Sequence, residues 1–322
     1  MSYHILSIDS PDCSLSCRDG QVTLKSQGEK EKTVPIEDVA SIIITSFSAL
    51  VHSHLLLEAA KHGVALIICE SFKPVSLVLP ANRATDTLLT RAQVELKARE
   101  RELLWRKTID AKCLNQVSLA KLLNPQHRLL TRMEGVARGK HPQKEATCAA
   151  LYWQVFGDAM GRKDFSRDRD EEGINALLNY GYAVLLSTVL QKLFALGLDP
   201  TFGIGHAIRE RSTPLAYDLM EPFRACVDWR VAQWVRQQPL ASGAETVATA
   251  MTPTDNPHPL GVTKEFRRWV TAFPLEQVDY FDVTLEIRGV IEGMVRGFRK
   301  AVIEKKPALY RPWTQTNTRW VG

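Results

Sequence analysis

Residues Gly203 to Arg224 read GIGHAIRERSTPLAYDLMEPFR. The stretch follows a long apolar segment and gathers a single His206, the basic Arg209 and Arg211, and the acidic pair Asp218 and Glu221. Two readings of it stand side by side. As local structure, Asp218-x-x-Glu221 ahead of an apolar run has the spacing of a capping box, the first acid accepting first-turn amides and the second reaching back. Pro222 suits an early helical position, although with Asp218 as the cap it falls at the fourth, where its missing N–H removes a bond. As chemistry, carboxylates and an imidazole nitrogen are ligands that a divalent, oxygen-preferring cation accepts, with one further acid needed from elsewhere. Spacing does not exclude the cap.

On either side of this stretch the pattern is helical. Before it, Ile174, Leu178, Tyr182, Leu185, Val189 and Leu193 recur at steps of three or four, predicting a long buried helix over 174–196 with Asn175 and Asn179 beside that face. After it, Phe223, Val227, Val231 and Trp234 mark the next helix. Upstream, KEATCAALYWQVF (Lys144 to Phe156) places Cys148, Tyr152 and Phe156 at four-residue steps, with Glu145 in the first turn, where a carboxylate commonly serves the helix dipole. Arg91 to Lys112 mixes both signs of charge and reads as one solvated helix. Val283 to Ile303 is predicted as another helix, followed by a basic, proline-broken tail, KKPALYRPWTQTNTRW, expected to be loosely held.

The first part of the chain alternates differently. HILSI (His4 to Ile8), Leu15 to Cys17, an Asp19-Gly20 hairpin turn, Val22 to Leu24 and the β-branched run Val39 to Thr45 read as strands. Leu50 to His62 fits a short helix closed by Gly63, and Val64 to Cys69 and Val75 to Leu79 are strands again. Polar, small residues after Pro80 mark a boundary. The expected fold class is α+β: a small β-rich N-terminal domain over 1–80, a linker at 81–87, and a larger all-α domain over 88–322.

Composition supports a folded globular chain. In 322 residues, apolar types make up 45% and charged types 24%, ordinary usage that favours neither disorder nor a membrane class. Lys and Arg exceed Asp and Glu by 41 to 36, a net charge of +5 that suits nucleic-acid binders and many metabolic enzymes alike. Cys13, Cys17, Cys69, Cys113, Cys148 and Cys226 are scattered without a second close pair for zinc, and read as reduced, mostly buried thiols. No leader pattern opens the chain, and its most apolar helix candidate is interrupted by Gln191 and Lys192; a cytoplasmic location with no membrane partner is expected.

Four motifs carry a resemblance. LNYGYAVL (Leu178 to Leu185) and LAYDLMEPFR (Leu215 to Arg224), with Glu145 in KEATCAALYW and His206 in GIGHAI, resemble in order, spacing and flanks the motifs of the CRISPR-associated adaptation integrase family, commonly spoken of as "Cas-one". The similarity covers the helical half from Glu145 to Arg230. It is looser in the sheet half, through IIITSFSALVHSHLLLEAAKHGVALIICE and KPVSLVLP. The resemblance implies a β-rich domain that contributes to dimerisation and a helical catalytic domain. In the latter, Glu145, His206 and Glu221 would hold Mg²⁺ or Mn²⁺, with Asp218 as an auxiliary ligand or an orienter of the site. The chain departs from the pattern at Tyr217, where relatives often carry an acid, and at Gly205, where some carry a second histidine.

The resemblance also implies a reaction. A short DNA fragment's 3′-hydroxyl attacks a phosphodiester of a repeat array and displaces another 3′-oxygen, a transesterification that needs no nucleophilic side chain. Double-stranded DNA, a second copy of the chain and a small companion adaptation protein are the implied partners. Arg209, Arg211 and Arg224 are candidates for phosphate contact, against ion pairing with nearby acids; Arg288, Arg296, Arg299 and Lys300 are weaker ones. A stand-alone nuclease for branched DNA and a non-catalytic DNA-binding scaffold are the competing readings.

Overall fold

The computed structural model describes residues 4–8, 10–26, 30–70, 73–78, 87–167, 173–206, 213–237, 261–280 and 283–315. The N-terminal part holds two sheets. Strands β1 (His4–Ile8), β5 (Val39–Ile44), β7 (Ala65–Glu70) and β8 (Lys73–Val78) form one, in the order β1-β5-β7-β8, with only β8 antiparallel to its neighbour. The other is ordered β4-β3-β2-β6, from β2 (Ser14–Arg18), β3 (Gln21–Lys25), β4 (Lys32–Pro35) and the two-residue β6 (Leu50–Val51). The β2–β3 turn is the Asp19-Gly20 step, with φ of 50° and 73°, the left-handed pair a tight hairpin demands. Helix α1 (Ser53–Lys61) crosses from β6 to β7, and Gly63 just beyond it takes a φ of 69°, the left-handed stop expected of that glycine. The predicted helix over 50–62 is therefore shorter, because Leu50 and Val51 pair with Ser14 and Leu15.

Strand alternation divides the β1-β5-β7-β8 sheet between two cores. Ile42, Ile44 and Leu66 join Leu15, Leu55 and Ala59 in a core confined to the N-terminal part. Ile43, Ile67 and Cys69 instead join the core of the helical part, where β5, β7 and β8 rest on α6 (Ile174–Ala195). Helix α6 is mostly apolar and largely buried, as suits a helix enclosed by protein, and its polar Asn175, Asn179 and Lys192 have side-chain partners. It is also touched by α8 (Arg224–Gln237), α7 (Pro214–Met220), α9 (Lys264–Thr271) and α10 (Ile287–Ile303). No helix among the described residues is long and apolar enough to cross a membrane.

The remaining elements are α2 (Thr87–Val94), α3 (Ala98–Leu123), α4 (Leu130–Arg138), α5 (Lys144–Ala159), and a ribbon of β9 (Gln277–Tyr280) and β10 (Val283–Glu286). The chain is thus sheet-rich first and mostly helical after. Of the expected linker at 81–87, only Thr87 lies within the described residues, and it opens α2.

Three expectations are corrected. The single solvated helix over 91–112 is two, broken at 95–97, where the Glu100 carboxylate accepts the Lys97 N–H at 3.1 Å. Far from being solvated, α3 buries Leu104, Ile109, Cys113, Asn115 and Val117. Residues 283–286 are strand rather than helix because they pair with β9, and α10 begins at Ile287. The tail is firmly held up to residue 315. Tyr310 and Trp313 are buried, Tyr310 Oη lies 3.0 Å from Thr108 Oγ1, and Trp313 Nε1 donates to the Asp279 carbonyl at 2.7 Å. Long-range aromatic burial outweighs the local prolines; residues 316–322 of the tail lie outside the described residues.

Candidate metal and DNA site

Three elements converge on one group of charges. Helix α5 presents Glu145 from its first turn, α3 presents Lys112, and a 3₁₀ turn at Glu221–Phe223 between α7 and α8 presents Glu221. Pro222 explains the turn: without an N–H it cannot extend the helical ladder. Its carbonyl accepts from Asn115 Nδ2 at 2.7 Å. The same amide also donates to the Trp313 carbonyl at 3.1 Å and accepts the Gln315 N–H at 2.7 Å, while Trp313 stacks on Phe223 with ring centroids 5.3 Å apart. One turn of α3 therefore carries Lys112 and the Asn115 clamp that fixes the Glu221 turn.

Lys112 Nζ stands 2.6 Å from Glu145 Oε1 and 2.8 Å from Glu221 Oε2, so both carboxylates meet one positive centre. Glu221 is only 2% exposed, Lys112 11% and Glu145 41%. Arg224 Nε lies 2.9 Å from Glu221 Oε1, and its guanidinium sits 4.6 Å over the Tyr182 ring. The contacts at Glu221 Oε2 and Arg224 Nε are short yet lack hydrogen-bond geometry; they are ion pairs by distance, and the buried Oε2 keeps an unfilled acceptor. Burial alone would push the Glu221 pKa up, but Arg224 and Lys112 overcome it and hold the group at about 2. Burial likewise opposes charge on Lys112, and the two glutamates still keep its pKa above the usual lysine range.

Asp218 has a different environment. It lies inside α7, fully buried, and accepts the N–H groups of Ile204, Gly205 and His206 at 2.5, 3.0 and 2.9 Å. Its Oδ1 also lies 2.6 Å from His206 Nδ1. The capping-box reading is overturned: Asp218 is four residues past the α7 N-terminus, and its acceptors are filled by the preceding loop rather than by a following helix. The same bonds leave it orienting His206, with Nε2 as the free ring nitrogen. That bond raises the imidazole pKa despite partial burial, and Glu221 is near enough to add to the shift. The departure at Gly205 has a steric cause. A Cβ there would stand 2.2 Å from the Trp105 ring, which meets the His206 ring edge-on at 5.5 Å. Tyr217 lies beside the same imidazole, with centroids 6.3 Å apart.

Of the sequence-predicted residues, Glu145 and Glu221 are brought together and His206 stands close by on its Asp218 tether. Among the described residues no three His, Cys, Asp or Glu side chains already form a metal shell. Arg209 and Arg211 fall in 207–212, outside the described residues. Arg224 is held within the carboxylate group. Near the C-terminus, Arg288 pairs with Glu286, Arg296 with Glu292 and Lys300 with Glu304, and Arg299 donates to the Leu196 carbonyl. Behind the site, Tyr152 and Tyr182 donate to the buried Asp228 at 2.7 and 2.5 Å; burial pushes its pKa up to about 6. Asn175 and Asn179 accept from Arg167 at 3.0 and 2.6 Å, as hydrogen-bonded packing beside the helix face. All six cysteines are buried free thiols, as expected.

Sequence reasoning missed Lys112 and Asn115. Their signal is faint: a cation and an amide three residues apart within a segment whose every turn also carries apolar residues. Only the long-range partners Glu145, Glu221 and Trp313 distinguish that face.

The family model for "CRISPR associated protein Cas1" matches residues 6–248. A CRISPR-associated endonuclease Cas1 from Neisseria meningitidis is 33% identical over 229 residues, covering 69% of this chain and 73% of its own length. In fold, the chain resembles a casposase bound to integration product, with a TM-score of 0.77 and 22% identity over 100% of this chain and 96% of that one. It also resembles a chain of a Cas6-RT-Cas1–Cas2 complex, with a TM-score of 0.74 and 13% identity over 98% of this chain and 36% of that longer chain. The matched residues span both sheets, the α5 glutamate, the His206 loop and the Glu221 turn, and the chain belongs to the Cas1 family of CRISPR-associated proteins.

Proposed function

We infer that this protein is a metal-dependent DNA endonuclease and integrase of CRISPR adaptation, joining short DNA fragments to a repeat array. The observation that carries the reading is the meeting of Glu145 and Glu221 on a single cationic centre beside an imidazole oriented by a buried aspartate. The donor set fits Mg²⁺ or Mn²⁺: hard carboxylate oxygens from two acids, those of Glu221 buried, and one imidazole ring nitrogen. Glu145, His206 and Glu221 would hold that ion, and Asp218 orients His206. When bound, the ion supplies Lewis-acid stabilisation of charge on the phosphoryl and 3′-oxygens.

The protein's own residues then do three things. The paired carboxylates offset positive charge in a mostly buried site. Arg224 and the Tyr152–Tyr182–Asp228 group behind it fix the Glu221 carboxylate. The Asn115–Trp313 clamp holds the turn from which Glu221 projects. In the reaction the fragment's 3′-oxygen forms a new bond to phosphorus as the bond from phosphorus to the repeat strand's 3′-oxygen breaks; the proton leaves the attacking hydroxyl and the displaced 3′-oxygen takes one up. The DNA supplies its own nucleophile, in keeping with cysteines that are all buried.

Joining both fragment ends needs two such sites at a fixed separation, so the working form is a homodimer, with dimers bridged by the small companion protein of the system. The reading puts the protein in the cytoplasm, with the chromosomal DNA. A strand-transfer assay tests it, with purified protein, a short duplex and a repeat-carrying plasmid, with and without the companion. Joined product requiring Mn²⁺ or Mg²⁺, and lost in Glu145→Ala, His206→Ala and Glu221→Ala, is expected; wild-type rates in those variants would place the site elsewhere.

A further inference from the structure

Resting on the metal-site reading, we propose that Lys112 is a built-in counter-cation that occupies the metal position in the metal-free protein and must be displaced for a divalent ion to bind. Its ammonium lies within 2.8 Å of a carboxylate oxygen from each of Glu145 and Glu221, the same two acids that would ligate the ion. An ion bonded to those oxygens and an ammonium in contact with them would be two like charges in one mostly buried space, so the two cations exclude each other.

The charge balance supports the exchange. Glu145 and Glu221 are matched by Lys112 and Arg224, so the group is neutral without metal. Arg224 is anchored on the far oxygen of Glu221 and over Tyr182, and stays as the fixed cation. Lys112 is the replaceable one: it bonds Glu145 at the more exposed edge, and its contact with Glu221 lacks hydrogen-bond geometry. A long, flexible stem lets the ammonium withdraw without moving α3. In the metal-free state Lys112 holds two carboxylates together that would otherwise repel, keeping the ligands near their bound arrangement.

The inference predicts that removing Lys112 tightens metal binding, the opposite of removing a ligand or a structural support. If Lys112 holds the position about nine-tenths of the time, apparent affinity is weakened roughly tenfold, and Lys112→Met restores it. Mn²⁺ binding to the full chain is measured by electron paramagnetic resonance of the unbound ion for wild type, Lys112→Met, Lys112→Arg and Glu221→Gln, with circular dichroism reporting the fold. Lys112→Met is expected to bind about tenfold more tightly and to melt lower without Mn²⁺, recovering when it is added. Lys112→Arg, which keeps the charge, is expected to bind no more tightly than wild type, and Glu221→Gln to bind weakly or not at all. A folded Lys112→Met with unchanged or weaker affinity overturns the inference while leaving the metal site standing; wild type that binds no Mn²⁺ removes the metal site itself. Should Lys112→Met fail to fold, acetylation footprinting of wild type gives the answer: Lys112 becomes more reactive on adding Mn²⁺ if it is displaced, and unchanged labelling overturns the proposal.

Discussion

Asp218 and Glu221 lie three positions apart in one motif, and the fold gives them opposite environments. Asp218 is enclosed by partners from a single nearby loop: three backbone N–H groups and the ring of His206. Glu221 is held by two charges from distant elements, Lys112 on α3 and Arg224 at the start of α8, one on each of its oxygens. An acid satisfied by its own loop fixes geometry and has nothing left to offer a cation. An acid balanced by a movable charge keeps its lone pairs for one. Burial does not distinguish them, since both are shielded from solvent; the kind of partner does.

The largest test of this contrast is Glu221→Gln. Strand transfer should fall on the order of a thousandfold, as for loss of a group that stabilises developing charge, and denaturant melts should show a loss of about 3 kcal/mol because Arg224 stays buried without its acid. Near-wild-type transfer would end the assignment. Asp218→Ala should cost roughly 10–100-fold in Mn²⁺ affinity and transfer by releasing His206, and about 3 kcal/mol of stability from its orphaned N–H groups. An effect equal to that of Glu221→Gln at every metal concentration would mean that Asp218 is itself a ligand.

Smaller changes sharpen the loop side. Gly205→Ala drives a Cβ into Trp105 and should destabilise by about 2 kcal/mol, with a few-fold loss of transfer as His206 is pushed aside. Adding Trp105→Ala should restore part of both; no rescue would show that the collision is not the cause. The smallest effect is one of pH. His206 must be neutral to offer Nε2, and its metal-free pKa is raised by Asp218, so Mn²⁺ affinity should rise with pH up to a midpoint above that of free imidazole. Asp218→Asn should move that midpoint down. In the metal-free protein the sign is reversed for stability: the charged His206–Asp218 pair contributes below the unfolded imidazole pKa, and its contribution is lost as pH rises through the raised folded value.

The elements legible in the sequence were those whose cause is local. The Asp19-Gly20 turn, the β-branched run from Val39 and the apolar residues of α6 at steps of three or four announce themselves within a few residues. The candidacy of Glu145, His206 and Glu221 rests on motif order, since spacing alone allows a helix cap that the position of Asp218 inside α7 excludes. What escaped depends on partners far along the chain. Lys112 in a mixed-charge segment looks solvated until Glu145 and Glu221 are placed around it. Val283 to Glu286 continues the apolar pattern of α10, and only its pairing with β9 makes it strand. The tail looks loose from its prolines, yet Trp313 completes the core against Phe223 and Asn115.

The most direct measurement is anomalous diffraction at the manganese edge from crystals of the full chain grown with Mn²⁺. One peak is expected, bonded to Glu145, His206 and Glu221, with Asp218 still on its loop amides and the Lys112 ammonium withdrawn from between the glutamates. A peak bonded to Asp218, or a protein that shows strand transfer while its Mn²⁺ lies elsewhere and Lys112 still bridges Glu145 and Glu221, would contradict this expectation.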